Sequence, residues 1–290
     1  METTTTSTGH GTAQVPAATL SSAARALAHA GQWDQAAGLV DQAIPGTAAA
    51  RAELALLAAE IAVERDYVTG TREAPARLAA AERLLGQRPG PADGPGWDLA
   101  FLGLRQQYAE QVTGPGGATQ LGPRGRDAAK MGRLRDRAWQ LREEAPDGRR
   151  RGWAEMCLGW IADNLYGERD LAPAHYEAAL AAGQAGGDDL LVREALRHLG
   201  DHDHDRGDYA AALDRWQGAT AAGARAGTVA GTLAQQLLLA VLARDAGDEA
   251  GARLLAGEVA RWAAAAGAVR IQAQATAFLA GVDPTAPAPD

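Results

Sequence analysis

Lysine is nearly missing from this chain of 290 residues: Lys130, in "AAKMG", is the only one. Neither a GxxxxGK phosphate loop nor a VAIK-type kinase lysine can be built, and a pyridoxal Schiff base would have to use that single residue. Serine is confined to Ser7, Ser21 and Ser22, which excludes a GxSxG nucleophile elbow. A lone cysteine, Cys157, permits no internal disulfide and no CxxC zinc site. It stands in "AEMCLGW" with no cationic neighbour to lower its pKa, and reads as a packed core thiol. No GxGxxG follows a strand-like segment. Most nucleotide-driven and covalent chemistries drop out on these absences alone.

Long apolar runs are missing too. No stretch of about eighteen apolar residues is available to cross a bilayer. The N-terminal "METTTTSTGHGTAQ" lacks the apolar region of a secretory signal. The expectation is a soluble, cytoplasmic protein with a tail at each end, residues 1–16 and 283–290. A formal charge of -8 argues against membranes and against nucleic acid as main partners. The local exception is Arg124 to Arg151, with ten basic and five acidic residues. It reads as a solvated helix and loop, with anion binding as the alternative.

Alanine is everywhere, whereas only two phenylalanines occur, a bias toward helices packed through small side chains. The helices repeat. Gly167, Gly207 and Gly247, at intervals of forty, each end a helical stretch and are followed by an acidic residue and another helix: "GERDLAPAHYEAAL", "GDYAAALDRWQGAT", "GDEAGARLLAGEV". Near the N-terminus "HAGQWDQAAGLVDQAI" repeats the phrase with Gly31. The pattern Leu196-x2-Leu199-Gly200-x2-Asp203, then Gly207, then Ala212-x3-Trp216 resembles the tetratricopeptide repeat. In that reading Gly200 permits close helix approach, Gly207 makes the turn, and Ala212 and Trp216 are the small and large packing residues. The unit around Leu158-Gly159 carries one extra residue before Gly167, and the period exceeds the family's usual thirty-four or so.

The resemblance implies an all-α, right-handed solenoid of antiparallel helix pairs, in the manner of tetratricopeptide repeats but with a period near forty, and a C-terminal capping helix. Paired helices are expected over 17–45, 48–87, 97–144, 150–185, 188–226 and 228–266, with "AVRIQAQATAFLAGV" as the cap. Residues 17–88 form divergent N-terminal repeats, and 97–282 form a solenoid with a concave groove. "GQRPGPADGPG" and "TGPGGATQLGPRG" are too rich in Gly and Pro for helix and read as loops.

Three of six histidines and five aspartates crowd into "ALRHLGDHDHDRGDYAAALDRW", Ala195–Trp216. On a helix at about 100° per residue, Val192, Ala195, Leu196 and Leu199 share one face. Glu194, Arg197, His198, Asp201, His204 and Asp205 lie opposite. The resemblance makes Glu194, Arg197, Asp201, His204 and Asp205 groove residues, with Trp153, Trp160 and Asp163 from the preceding unit and Arg244 from the following one. Aromatics beside carboxylates suit a small cationic or amphipathic ligand through cation–π and ionic contacts. Asp201, His204 and Asp205 are also the candidate ligands for a divalent metal, the one cofactor the pattern suggests. Asp203 stands where the family has Tyr and should be buried, held by a neighbouring Tyr, Trp or His.

Two functions follow. The first is an interaction scaffold binding a peptide, a protein segment or a small effector in the groove. Related repeats form arms of large bacterial ATPase regulators, but this chain lacks their phosphate loop and a DNA-reading helix. Any regulation would thus act through a partner. The second is a small-molecule enzyme in the same groove, with His204, His198 and Asp203 as candidate catalytic groups and a metal or acid/base mechanism. Self-association as a homo-oligomer is compatible with either.

Overall fold

In the computed structural model of the chain, residues 15–86, 94–113 and 120–282 are described; of the expected tails, 1–16 and 283–290, all but residues 15 and 16 lie outside them. Among the described residues thirteen helices follow one another with no strand element: α1 (Ala17–His29), α2 (Trp33–Asp41), α3 (Ala48–Thr69), α4 (Ala74–Leu85), α5 (Gly94–Val112), α6 (Ala128–Glu143), α7 (Gly148–Trp160), α8 (Ala172–Gly186), α9 (Asp189–Asp205), α10 (Tyr209–Ala226), α11 (Val229–Asp245), α12 (Glu249–Ala265) and α13 (Val269–Leu279). No helix among the described residues is long and apolar enough to cross a membrane. The six expected pairs and the cap are all present. One loop boundary differs: Gly94-Pro95-Gly96 belongs to α5, because Pro and Gly at a helix start cost little where the N–H groups have no intrahelical partner.

The turn between α9 and α10 shows how sequence writes the repeat. Gly207 adopts φ +77°. Its N–H donates to the His204 carbonyl at 2.8 Å, and the Asp208 N–H reaches back to the Asp203 carbonyl at 2.9 Å. Two of the last orphan carbonyls of α9 are thereby satisfied. Asp208 then caps α10, its carboxylate accepting from the Ala211 N–H at 3.1 Å. A β-branched residue at this φ is strained. Gly207→Val should lower unfolding stability by about 2 kcal/mol in urea titration, with Gly207→Asn losing much less. Equal stability of the Val variant would refute the strained turn.

The extra residue in the third-last full unit takes a definite form. α7 does not stop at Trp160 but continues as a π-helix, Ile161–Tyr166, before Gly167 at φ +68°. One residue too many for an α-turn is absorbed as a widened turn. This swings Asp163 and Asn164 into contact with neighbouring helices.

Packing places each odd-numbered helix against the odd helix of the next unit. α3 meets α5, α5 meets the π-helix, α7 meets α9, α11 meets α13, and α13 returns to α3. α9 and α11 are joined by His204 to Asp245 and by Arg193 to the Gly231 carbonyl. The odd helices therefore line the inside of a closed ring, and α4, α6, α8, α10 and α12 lie outside it. The largest apolar core runs through α5 to α9, from Trp97 and Phe101 through Met156 and Trp160 to Leu199.

Candidate functional site

α9 is gripped from both sides, which decides where its polar residues go. Ala195 and Leu199 are buried as their spacing predicts, but Val192 and Leu196, of the same expected face, are only partly covered, and Leu191 is buried in their place. His198, His202 and Asp203 are buried as well, at 6%, 5% and 3% exposure. A helix packed against α7 on one side and α10 on the other has a wide buried arc, so His198 does not stand on an open face.

His198 is part of a sealed hydrogen-bond network. Trp160 Nε1–H donates to His198 Nε2 at 2.8 Å, and Arg197 donates to the same nitrogen at 3.0 Å. Tyr176 stacks on the imidazole, centroids 4.8 Å apart. Burial first, then the Arg197 charge, hold the His198 pKa well below the usual histidine value. The ring is neutral, its proton on Nδ1 and its lone pair engaged. Trp160 also stacks on Tyr108 at 5.5 Å. It is core and network at once.

Asp163, brought in by the π-helix, accepts from His202 Nε2 at 3.1 Å and from the Tyr176 hydroxyl at 3.2 Å. Burial pushes its pKa up, but the His202 hydrogen bond and the charges of His202 and Arg169 outweigh it and keep the carboxyl below the usual range. Its neighbour Asn164 donates to the Tyr108 hydroxyl at 2.7 Å. Arg169 spans Asp163 and Asp205, at 3.5 and 2.5 Å.

Asp201 occupies a different situation. Its Oδ1 accepts from Trp216 Nε1–H at 3.1 Å, and Arg197 stands 3.5 Å from Oδ2. Burial raises its pKa to about 6, with Asp163 and Asp205 adding to the rise and Arg197 opposing it. His204 turns the other way, bonding Asp245 of α11 at 2.7 Å and stacking on Trp216 at 5.5 Å. Asp201, His204 and Asp205 thus point to Trp216, Asp245 and Arg169. Among the described residues no three His, Cys, Asp or Glu side chains gather as a metal site requires.

The remaining candidates have equally specific partners. Trp153 Nε1–H donates at 2.8 Å to Asp188, the cap of α9, and its ring leans on Phe101. Arg244 lies over the Phe278 ring, 3.6 Å from its centroid, and bonds Glu249 at 2.8 Å, so it serves α12 and α13. Glu194 pairs with Arg193. Asp203 is buried as expected, but its partners are Arg206 and Arg215, the latter at 3.0 Å, in place of the expected Tyr, Trp or His. Gln235, on α11, is fully buried. Cys157 is sealed, and burial pushes its thiol up to about 12.

What remains open is a strip on the inside of the ring. The Glu194, Arg197 and Asp201 side chains, at successive turns of α9, are 21%, 30% and 22% exposed. Tyr67, 44% exposed, stands several helices away in the stack on α3, another of the inner helices. A separate cleft of about 430 Å³ lies at the edge, lined by His29, Arg149, Asp188, Asp189 and Ala226. None of the groove candidates lines it.

Sequence reasoning missed Tyr176, Tyr67, Tyr108 and Arg169. A signal for Tyr176 existed: it follows Gly159 as Trp216 follows Gly200, one residue later because of the π-helix. Tyr67 had none, since its place depends on ring closure.

No protein-family model matches the chain, and no curated protein matches it. Among solved structures, it is similar to the crystal structure of a Rap protein complexed with competence and sporulation factor, at 13% identity and a TM-score of 0.45, over 91% of this chain and 87% of that one.

Proposed function

We propose that the chain is an interaction scaffold holding a peptide or protein segment against the inner wall made by α7, α9 and α11. The observation that carries this is the partly open charged strip Glu194–Arg197–Asp201 on a wall whose neighbours are fixed by sealed hydrogen bonds. Rigid, preplaced charges beside aromatic rings form a recognition surface, because little ordering entropy is lost when a partner docks. The same geometry favours binding over an acid/base enzyme. The His198 lone pair is taken by Trp160 and Arg197, His204 is engaged by Asp245, and Asp203 is locked between two arginines.

Selection from a random displayed-peptide library on the whole protein tests this. A consensus peptide should emerge whose Kd weakens at least about tenfold, or about 1.4 kcal/mol, in Glu194→Ala/Arg197→Ala. No enriched consensus, or equal affinity for the double variant, would overturn the assignment to the α9 wall.

A further inference from the structure

The seam that closes the ring is unlike the joints from α5 to α9. Between α5 and α9 neighbouring units share one continuous apolar core. Where the N-terminal units return to the C-terminal ones, contacts are of another kind. The His29 ring nitrogen Nδ1 lies 3.2 Å from the Ala226 carbonyl oxygen. The α1–α2 turn at Gly31 touches the α12–α13 turn at Ala266. Arg270 of α13 covers the Tyr67 ring at 4.8 Å and bonds the Thr113 hydroxyl at 3.1 Å. Val68 packs partly against both the N-terminal and the C-terminal cores. The cleft of about 430 Å³ opens beside the His29–Ala226 contact, toward α7 and the α8–α9 turn.

Small and polar contacts yield before a continuous apolar core does. Tyr67, which belongs to the seam, stands like Arg197 on one of the odd-numbered helices that line the interior. We propose that the seam is a latch: the N-terminal helices shut the ring over the α9 wall, and opening the seam admits a polypeptide to it. This rests on the reading of that wall as the binding surface, and it adds that access is gated by the contact between α1–α3 and α12–α13.

The latch can be locked. A Cβ placed on Gly31 would lie 3.9 Å from the Ala266 Cβ, within the range of about 3.5–4.5 Å that disulfides use. Buried Cys157, its thiol pushed up to about 12, is no competitor. In full-length Gly31→Cys/Ala266→Cys the disulfide should form under mild oxidation. A reporter thiol, Glu194→Cys, is then placed on the inner wall of the otherwise native protein and of the oxidised lock. Its reaction with a bulky polyethylene-glycol maleimide should slow at least about tenfold when the seam is locked, as for a site reached only through a transient opening. N-ethylmaleimide, small enough to enter by the ends of the ring, should react at similar rates in both. Because a side chain at the φ +78° of Gly31 is strained by about 1–2 kcal/mol, a short bismaleimide bridge replaces the disulfide where oxidation leaves the two thiols free, and an unchanged rate with the bulky reagent in the joined protein would overturn the latch. No peptide enters this readout, so the gating result stands or falls separately from the peptide selection.

Discussion

Gly200→Val should unfold the protein at a far lower urea concentration than any surface change, with a loss of about 3 kcal/mol or more. A Cβ on Gly200 would sit 2.4 Å from Trp216 Cδ1 and 2.5 Å from its Nε1. Trp216 is fully buried and cannot retreat. Its indole N–H is also fixed by the Arg197 carbonyl at 3.0 Å and by Asp201. Overpacking a site of this kind forces the helices apart, and overpacked cores typically lose about 1–3 kcal/mol before any hydrogen bond is broken. The loss should shrink in Gly200→Val/Trp216→Leu, where the smaller side chain makes room. Strict additivity of the two single changes would show that the clash is not the cause. A Cβ on Gly159 would likewise sit 2.3 Å from Tyr176 Cε1, so the rule repeats one unit earlier.

That pair of contacts explains how much of the fold was readable. Each repeat is fixed by local chemistry: a glycine that lets a ring in, a turn glycine with positive φ, an aspartate or threonine that caps the next helix. All of these sit within about one unit of sequence, which is why the helix pairs fall where periodicity predicts. The polar residues of α9 were harder. A single helical wheel has one buried arc, whereas α9 packs against α7, α8 and α10, and His198 and His202 vanish into the second arc. The partner of His202 depended on a register shift of one residue, the π-helix that delivers Asp163. Ring closure was not legible at all. It rests on contacts such as Arg270 with Tyr67 and His29 with Ala226, made between residues some two hundred apart in sequence and carrying no periodic signal.

The other large effect is one of pH, and it comes from Asp201. Burial lifts this carboxyl to about 6 in the folded protein, against an ordinary value of 3.8. Between those two values the folded chain holds a proton that the unfolded chain has released. Stability therefore falls as pH rises through this window, and above about 6 the penalty of a buried charge is fully present. The groups facing Asp201 are Arg197, which opposes the shift, Asp163 and Asp205, which add to it, and the rings of His198 and His202. Asp201→Asn removes the titration but keeps an oxygen to accept the Trp216 N–H. At pH 7.5 it should stabilise the protein by on the order of 2 kcal/mol, and the gain should disappear as pH approaches 4. Comparing the two proteins at each pH cancels the titrating groups that are not coupled to Asp201, including Asp188, whose lowered pKa makes it lose stability in acid. If Asp201→Asn instead destabilised the protein, with a loss that grew as pH rose and the carboxyl ionised, the carboxylate would be contributing through its Arg197 pair, and the charge on the inner wall would be a structural strut.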